Sequence, residues 1–257
     1  ISQWGVYTGK YHLLINVPMA VSNALSSSLI PSVSRAVATG DRRMVKKKVA
    51  AAIRFSLLIA IPSAVGLTVL AGPLNNLLFS GDNDLAVQMT LYGSIAVVFY
   101  SVSTVTNAIL QGDRMRLPIV HALTALVLHL AAMEVMVLVF HMGIFSMVFA
   151  NILFAVIMCF LNHRSIRKIL GYRQEVKKTI LLPAAASAVM GAAAVGVYKL
   201  IHLGIQSNAV CTLGAVAAAV AVYGVLLVKL GCLDEDELHQ MPGGTRLLQV
   251  FRKLRLM

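Results

Sequence analysis

The sequence predicts an all-α membrane protein, a polytopic bundle of about seven transmembrane helices, and three observations support this fold class. Of the 257 residues, 58% are hydrophobic and only 12% are charged, whereas a soluble domain carries about 25% charged residues. Apolar stretches near 20 residues recur along the chain, and about 20 helical residues cross a hydrocarbon core of roughly 30 Å. These stretches do not alternate as barrel strands do, so helices are the structure that satisfies their backbone groups in lipid.

The apolar stretches define seven predicted spans with short connections between them. They cover residues 11–34, 55–79, 90–111, 118–140, 143–162, 179–201 and 209–230. The sixth and seventh are rich in Ala and Gly, and Ser187-xxx-Gly191 and Ala192-xxx-Gly196 have the small-xxx-small spacing that allows close helix contact. Beyond the last span, Leu247, Phe251 and Leu254 recur at helical spacing among basic residues, which predicts an amphipathic helix on the membrane surface.

Lysine and arginine are distributed very unevenly between the predicted loops. Of the 22 basic residues, 20 lie after the first, third and fifth spans or around the end of the seventh, and only Lys10 and Lys199 lie on the other side. Basic loops stay in the cytoplasm, so we expect the first span to run inward and the C-terminus to be cytoplasmic. The net charge of +12 is thereby attributed to membrane topology, and no nucleic-acid partner is expected.

Neither a cofactor nor a metal site is predicted. The cysteines Cys159, Cys211 and Cys232 form no CxxC pair, and no HExxH spacing occurs.

The chain starts without Met, and no signal peptide is expected at its start. Residues 1–10 look like the interior of a longer protein, which predicts that the chain is a fragment.

The first predicted span carries a polar face. Asn16, Asn23 and Ser27 follow one another at i, i+7 and i+11, and Pro18 and Pro31 interrupt the same helix. Such a face is expected to border a wet cavity or another helix rather than lipid. Both interpretations stay open, because Asn and Ser also hydrogen-bond between helices.

The third predicted span has a second polar face, formed by Tyr100, Thr104, Asn107 and Gln111 at i, i+4, i+7 and i+11. Asn and Gln are larger than helix packing needs, and this favours a substrate cavity over packing.

The fourth predicted span contains ionisable side chains at membrane depth. His129 and Glu134 are candidates for ion or proton coupling, because His and Glu are the usual proton carriers in membranes. By 100° steps these two residues are about 140° apart around the helix. This spacing favours the alternative, a protonated Glu134 that hydrogen-bonds a neighbouring helix.

Several short motifs resemble one known family in their order and spacing. They are NVP at 16–18, LIPSVSRA at 29–36 with GD at 40–41, IPSAVGL at 61–67, LFSG at 78–81 and ILQG at 109–112. The sequence resembles the C-terminal half of the polysaccharide biosynthesis and stage V sporulation protein B-like transporters. These belong to the multidrug/oligosaccharidyl-lipid/polysaccharide (MOP) flippase superfamily.

The resemblance implies a fold of two six-helix lobes followed by two extra helices. Residues 1–168 would be five spans of the second lobe, 169–231 the two additional helices, and 232–257 a cytoplasmic amphipathic tail. The missing N-terminal lobe of the same protein would be a partner, together with membrane lipids and a lipid-linked sugar substrate.

The implied function is to flip a lipid-linked oligosaccharide or cell-wall precursor across the bacterial plasma membrane by alternating access, without enzymatic activity. Such flippases often hold pyrophosphate with cationic side chains. This sequence departs there, since its nearest candidates for the headgroup phosphate are Lys10 and Arg54 at the two mouths. A drug/cation antiporter of the same superfamily is the alternative, and a polytopic glycosyltransferase, with Asp82 and Asp84 at the outer surface, is a weaker one.

Overall fold

The computed structural model describes residues 2–113, 116–172 and 174–231, and these residues are almost entirely helical, with no strand among them. Two π-helical stretches, Tyr7–Tyr11 and Lys177–Leu181, lead into α2 and α9. The predicted tail helix with Leu247, Phe251 and Leu254 lies outside the described residues. The α-helices are α1 (Gln3–Val6), α2 (His12–Ala38), α3 (Arg42–Val69), α4 (Ala71–Leu78), α5 (Asp84–Gly93), α6 (Ala96–Asp113), α7 (Arg116–Leu138), α8 (Phe145–Leu170), α9 (Leu182–Gly204) and α10 (Asn208–Lys229).

Six helical segments of the described chain are long and apolar enough to cross a membrane. They are Gln3–Ala38, Arg42–Val69, Arg116–Leu138, Phe145–Leu170, Lys177–Gly204 and Asn208–Lys229. The pair α5 and α6 makes a seventh when its two halves, bent by 51°, count as one span. The predicted all-α bundle of about seven spans is therefore confirmed.

The third predicted span is not one straight helix, because α5 ends at Gly93 and α6 begins at Ala96. At the bend the Tyr11 ring lies so close that a Cβ on Gly93 would be 2.2 Å from the Tyr11 Oη atom. A side chain at residue 93 would have to displace the Tyr11 ring, so glycine at this position lets the first span pack closely against the bend.

The second predicted span also differs from the structure. The range 55–79 is divided by a break at Leu70, and α3 starts at Arg42 rather than at residue 55. Pro73 lies in the first turn of α4, where its missing N–H leaves no helical hydrogen bond unmade. Gly72 and Pro73 thus lie in the first turn of a new helix, α4, and do not kink a continuous helix.

Helix α6 lies in the middle of the described bundle and packs against α2, α3 and α8. A buried cluster joins these elements and includes Val33, Val49, Ile109 and Ile166. Helix α7 instead packs mainly on α8, and most of its large apolar side chains are exposed, as on a lipid-facing helix.

Helices α9 and α10 pack together and against α3 and α4. Their contact uses small residues, as the Ala/Gly-rich sequence predicts: Ala194 and Ala215 are fully buried. A Cβ on Gly191 would lie 2.9 Å from Val65 Cγ1, whereas a Cβ on Gly196 would meet nothing within 4 Å. Of the two small-xxx-small motifs, the first therefore contacts α3 and the second faces open space.

One end of the bundle, which we name the basic side, collects the ends of α2, α6 and α8 and the starts of α3 and α7. The Ser34 hydroxyl at the end of α2 donates to the Gly112 carbonyl of α6 at 3.1 Å. A pocket of about 610 Å³ is lined there by Gly40, Arg42, Leu117 and Lys168, among others. The basic loops therefore meet at one end, and the assignment of this end to the cytoplasm stays a prediction.

Candidate functional site

The polar face predicted on the first span lies on the exposed side of α2. Asn16, Asn23 and Ser27 are all exposed, while Ser22 and Ser26 of the same helix are buried. The exposed groups bond within their own helix: Asn16 Nδ2 is 2.9 Å from His12 Nδ1, and Ser27 Oγ donates to the Asn23 carbonyl at 3.0 Å. Among the described residues these hydrogen bonds stay within α2, and the exposed side chains can still reach a ligand.

The polar face predicted on the third span has different surroundings. Tyr100, Thr104 and Asn107 are half-buried in α6, and only Gln111 is exposed. The Tyr100 ring packs on the Phe154 ring of α8, with 6.3 Å between the centroids. Part of this face therefore contacts α8, while Gln111 at its end is exposed.

Asn162 on α8 is the centre of a polar network that joins three helices. It is fully buried. Its Nδ2 donates to Asn107 Oδ1 at 2.8 Å, to Thr106 Oγ1 at 3.0 Å and, more weakly, to the Ser103 carbonyl at 3.4 Å. Asn107 thus takes part in helix packing, which the sequence had left as the less favoured interpretation.

His121 on α7 completes this network. Its Nδ1 lies 2.7 Å from Asn162 Oδ1. Since an amide oxygen only accepts, Nδ1 carries the proton. Its Nε2 then accepts from the Ser165 hydroxyl at 3.1 Å. Sequence reasoning missed Asn162, although Asn162 and Ser165 share one helical face at i and i+3, which could have indicated a polar contact.

The two coupling candidates on α7 are separated by the structure. His129 Nδ1 donates to the Ala150 carbonyl at 2.9 Å, and its ring contacts Phe154 edge-on with 5.9 Å between centroids. Glu134 is exposed. His129 thus attaches α7 to α8, and a coupling role for His129 or Glu134 stays a prediction.

The two cationic candidates for the headgroup phosphate also differ in their burial and contacts. Lys10 is buried, and its Nζ donates to the Asp82 carbonyl at 2.8 Å and to Asn83 Oδ1 at 2.6 Å. It therefore anchors the loop between α4 and α5 instead of presenting its charge at the surface. Arg54 is half-buried and lines a cleft between α2 and α3.

Comparison with known proteins now gives the family. The family model described as lipid II flippase MurJ matches residues 12–213, which is most of the chain from α2 into α10. The chain belongs to the lipid II flippase MurJ family. This confirms the resemblance to MOP-superfamily flippases and makes the chain part of a multi-pass membrane protein.

Three relatives of the chain come from Bacillus subtilis (strain 168). Lipid II flippase MurJ is 24% identical over 242 residues, which are 90% of this chain and 44% of the relative. Stage V sporulation protein B is 26% identical over 252 residues, 96% of this chain and 47% of the relative. An uncharacterized membrane protein, YabM, is 25% identical over 259 residues, with 97% and 47% covered. The chain thus spans less than half the length of these curated relatives.

Proposed function

We propose that the whole MurJ-family protein flips a lipid-linked oligosaccharide or cell-wall precursor across the plasma membrane by alternating access, with this chain as its second lobe. The observation that carries the proposal is the exposed polar face of α2, formed by Asn16, Asn23 and Ser27. Hydrogen-bonding side chains that face lipid are costly. We therefore expect this face to border a water-containing cavity shared with a first lobe.

The chemistry of the α2 face suits the polar end of such a substrate. Asn side chains supply both donors and acceptors, and Ser hydroxyls do the same, so they can bind sugar hydroxyls in either sense. The lipid tail would stay among the exposed apolar side chains of the bundle. Tyr100, Thr104 and Gln111 of α6 remain proposed cavity residues, whereas Asn107 is proposed to act through its contact with Asn162.

The proposal is tested by measuring translocation in the full-length protein, with the first lobe present. Liposomes containing the protein receive a fluorescent undecaprenyl-pyrophosphate sugar, and its movement from one leaflet to the other is followed. We expect protein-dependent movement, slowed about thirtyfold by Asn16→Leu with Asn23→Leu, because each lost hydrogen bond to the substrate is worth about 1 kcal/mol.

The matched control is Thr124→Leu, which removes an exposed polar group from α7, outside the polar face. It should leave the translocation rate unchanged. If no lipid-linked sugar moves, and the liposomes instead take up an organic cation under a proton or sodium gradient, the antiporter alternative replaces the flippase and Glu134 becomes the residue to pursue.

A further inference from the structure

A cleft of about 760 Å³ opens between α2 and α3. Its walls are largely apolar, with Val21, Leu25 and Leu29 on α2 facing Phe55 and Leu58 on α3. The volume lies within the range of ligand sites in proteins, about 300–1,000 Å³. The cleft can therefore hold an apolar chain of substantial size.

Cationic side chains are concentrated toward the basic side of this cleft. Lys47, Lys48 and Arg54 all line it, and no described lining residue is acidic. Lys48 Nζ donates to the Ser32 hydroxyl, which connects the two helices at the mouth. An ammonium group has three donors, so Lys48 can still bind an anion. Lys47 and Lys48 thus lie at the mouth, while Arg54 lies about 9 Å farther along α3, beside Phe55; its long side chain can extend back toward the two lysines.

The length of the cleft matches one leaflet of a bilayer. Its mouth is marked by the contact of Lys48 with Ser32, and its far end by Val21 and Leu58. Each helix advances ten or eleven residues between these points, which corresponds to about 15 Å at 1.5 Å per residue. That is half of a hydrocarbon core of about 30 Å.

We propose that the cleft between α2 and α3 binds an anionic phospholipid from the leaflet on the basic side. The phosphate would lie among Lys47, Lys48 and Arg54, since cationic donors form short, charge-assisted hydrogen bonds with phosphate oxygens. One acyl chain would lie against the apolar walls. Basic pockets between spans recognise acidic head groups in this way.

This lipid site is separate from the polar face proposed to meet the transported substrate. By 100° steps, the residues of α2 that line the cleft, such as Leu25 and Ser28, are centred about 140° around the helix from Asn16 and Ser27. The bound phospholipid is therefore a resident ligand of the second lobe and is not itself transported.

The test uses the full-length protein in nanodiscs of phosphatidylcholine that contain a small fraction of photoactivatable lipid. The reactive group is placed in the acyl chain of either phosphatidylglycerol or phosphatidylcholine, and labelled peptides are identified by mass spectrometry. We expect phosphatidylglycerol to label residues 21–29 and 51–58 several times more strongly than phosphatidylcholine does.

Two variants of α3 separate charge at the cleft from charge on the same helix. Lys47→Gln with Arg54→Gln should lower the ratio of phosphatidylglycerol to phosphatidylcholine labelling to near one, because two of the three cationic groups that attract the anionic head group are removed. Arg43→Gln with Lys46→Gln removes the same charge from exposed positions that do not line the cleft. This control should keep the parent ratio.

A third variant keeps every charge and fills the cleft instead. Ala24 lines the apolar part of α2, so Ala24→Phe should abolish labelling by both lipids. Ala24→Phe therefore tests lipid binding in the cleft even if the charge variant fails to fold.

Three outcomes would overturn the proposal. Equal labelling by the two lipids would show that the head group is not recognised. Absence of any label in the cleft would show that the first lobe covers it. Displacement of the label by a polyprenyl pyrophosphate would make the cleft a substrate site. None of these readouts involves transport, so they stand whether or not the flippase assay succeeds.

Discussion

The polar faces of α2 and α6 are both built from uncharged polar residues at helical spacing, yet they have different surroundings. On α2, Asn23 and Ser27 are exposed and bond within their own helix. On α6, Asn107 is half-buried and accepts a hydrogen bond from Asn162 of α8. A polar face at helical spacing therefore marks a side chain that needs a partner, and the packing of the helix decides whether that partner is another helix or a ligand.

The largest expected effect is at the centre of the α6–α8 contact. Asn162→Leu leaves His121 and Asn107 without their buried partner, and we expect the free energy of unfolding to fall by about 2 kcal/mol. Denaturant titration of the full-length protein in detergent measures this. Asn23→Leu on the exposed face is the control and should change stability by less than about 0.5 kcal/mol. Equal effects of the two substitutions would remove the distinction between the faces.

Single substitutions along α6 test the same difference between a buried and an exposed polar side chain. Asn107→Leu should cost about 1 kcal/mol, because one acceptor for Asn162 is lost while two others remain. Gln111→Leu, at an exposed position, should leave stability unchanged. The double variant is expected to insert normally and to transport poorly. Normal complementation by the double variant in a full-length background would exclude this face from the transport path.

Helix α7 also carries one side chain that bonds another helix and one that is exposed, and the expected changes in stability are smaller. His129 donates to the Ala150 carbonyl of α8, so His129→Leu should lower the free energy of unfolding by about 0.6 kcal/mol, the average for a hydrogen bond between spans. Thermal unfolding in detergent should detect the shift relative to the parent protein.

The smallest effect is expected at Glu134, which is exposed. Glu134→Gln should express and unfold like the parent, within about 0.5 kcal/mol. Expression level and unfolding midpoint check this. Loss of expression would instead indicate a structural partner for the carboxylate in the whole protein.

Most of the fold could be predicted from hydropathy, because the lengths of the apolar stretches correspond directly to spans. The bend at Gly93 could not, since it depends on how closely Tyr11 approaches from another helix. The break before Pro73 was visible in principle, because Gly-Pro is typical of a helix start. The role of Asn162 was hidden for a different reason. Asn162 and Ser165 share one helical face, but this spacing does not show which helix they contact, because the packing of α8 is decided by neighbours far away in the sequence.

The length of the first span has a mechanical consequence. Gln3–Ala38 forms one helical segment of 36 residues, which corresponds to about 54 Å and exceeds a hydrocarbon core of about 30 Å. Each end therefore lies about 27 Å from the midpoint. A tilt of only about 10° moves each end by about 5 Å, close to one helical turn. A rigid rotation of the segment at membrane depth would therefore displace Arg35 and its neighbours at the basic side by about one helical turn.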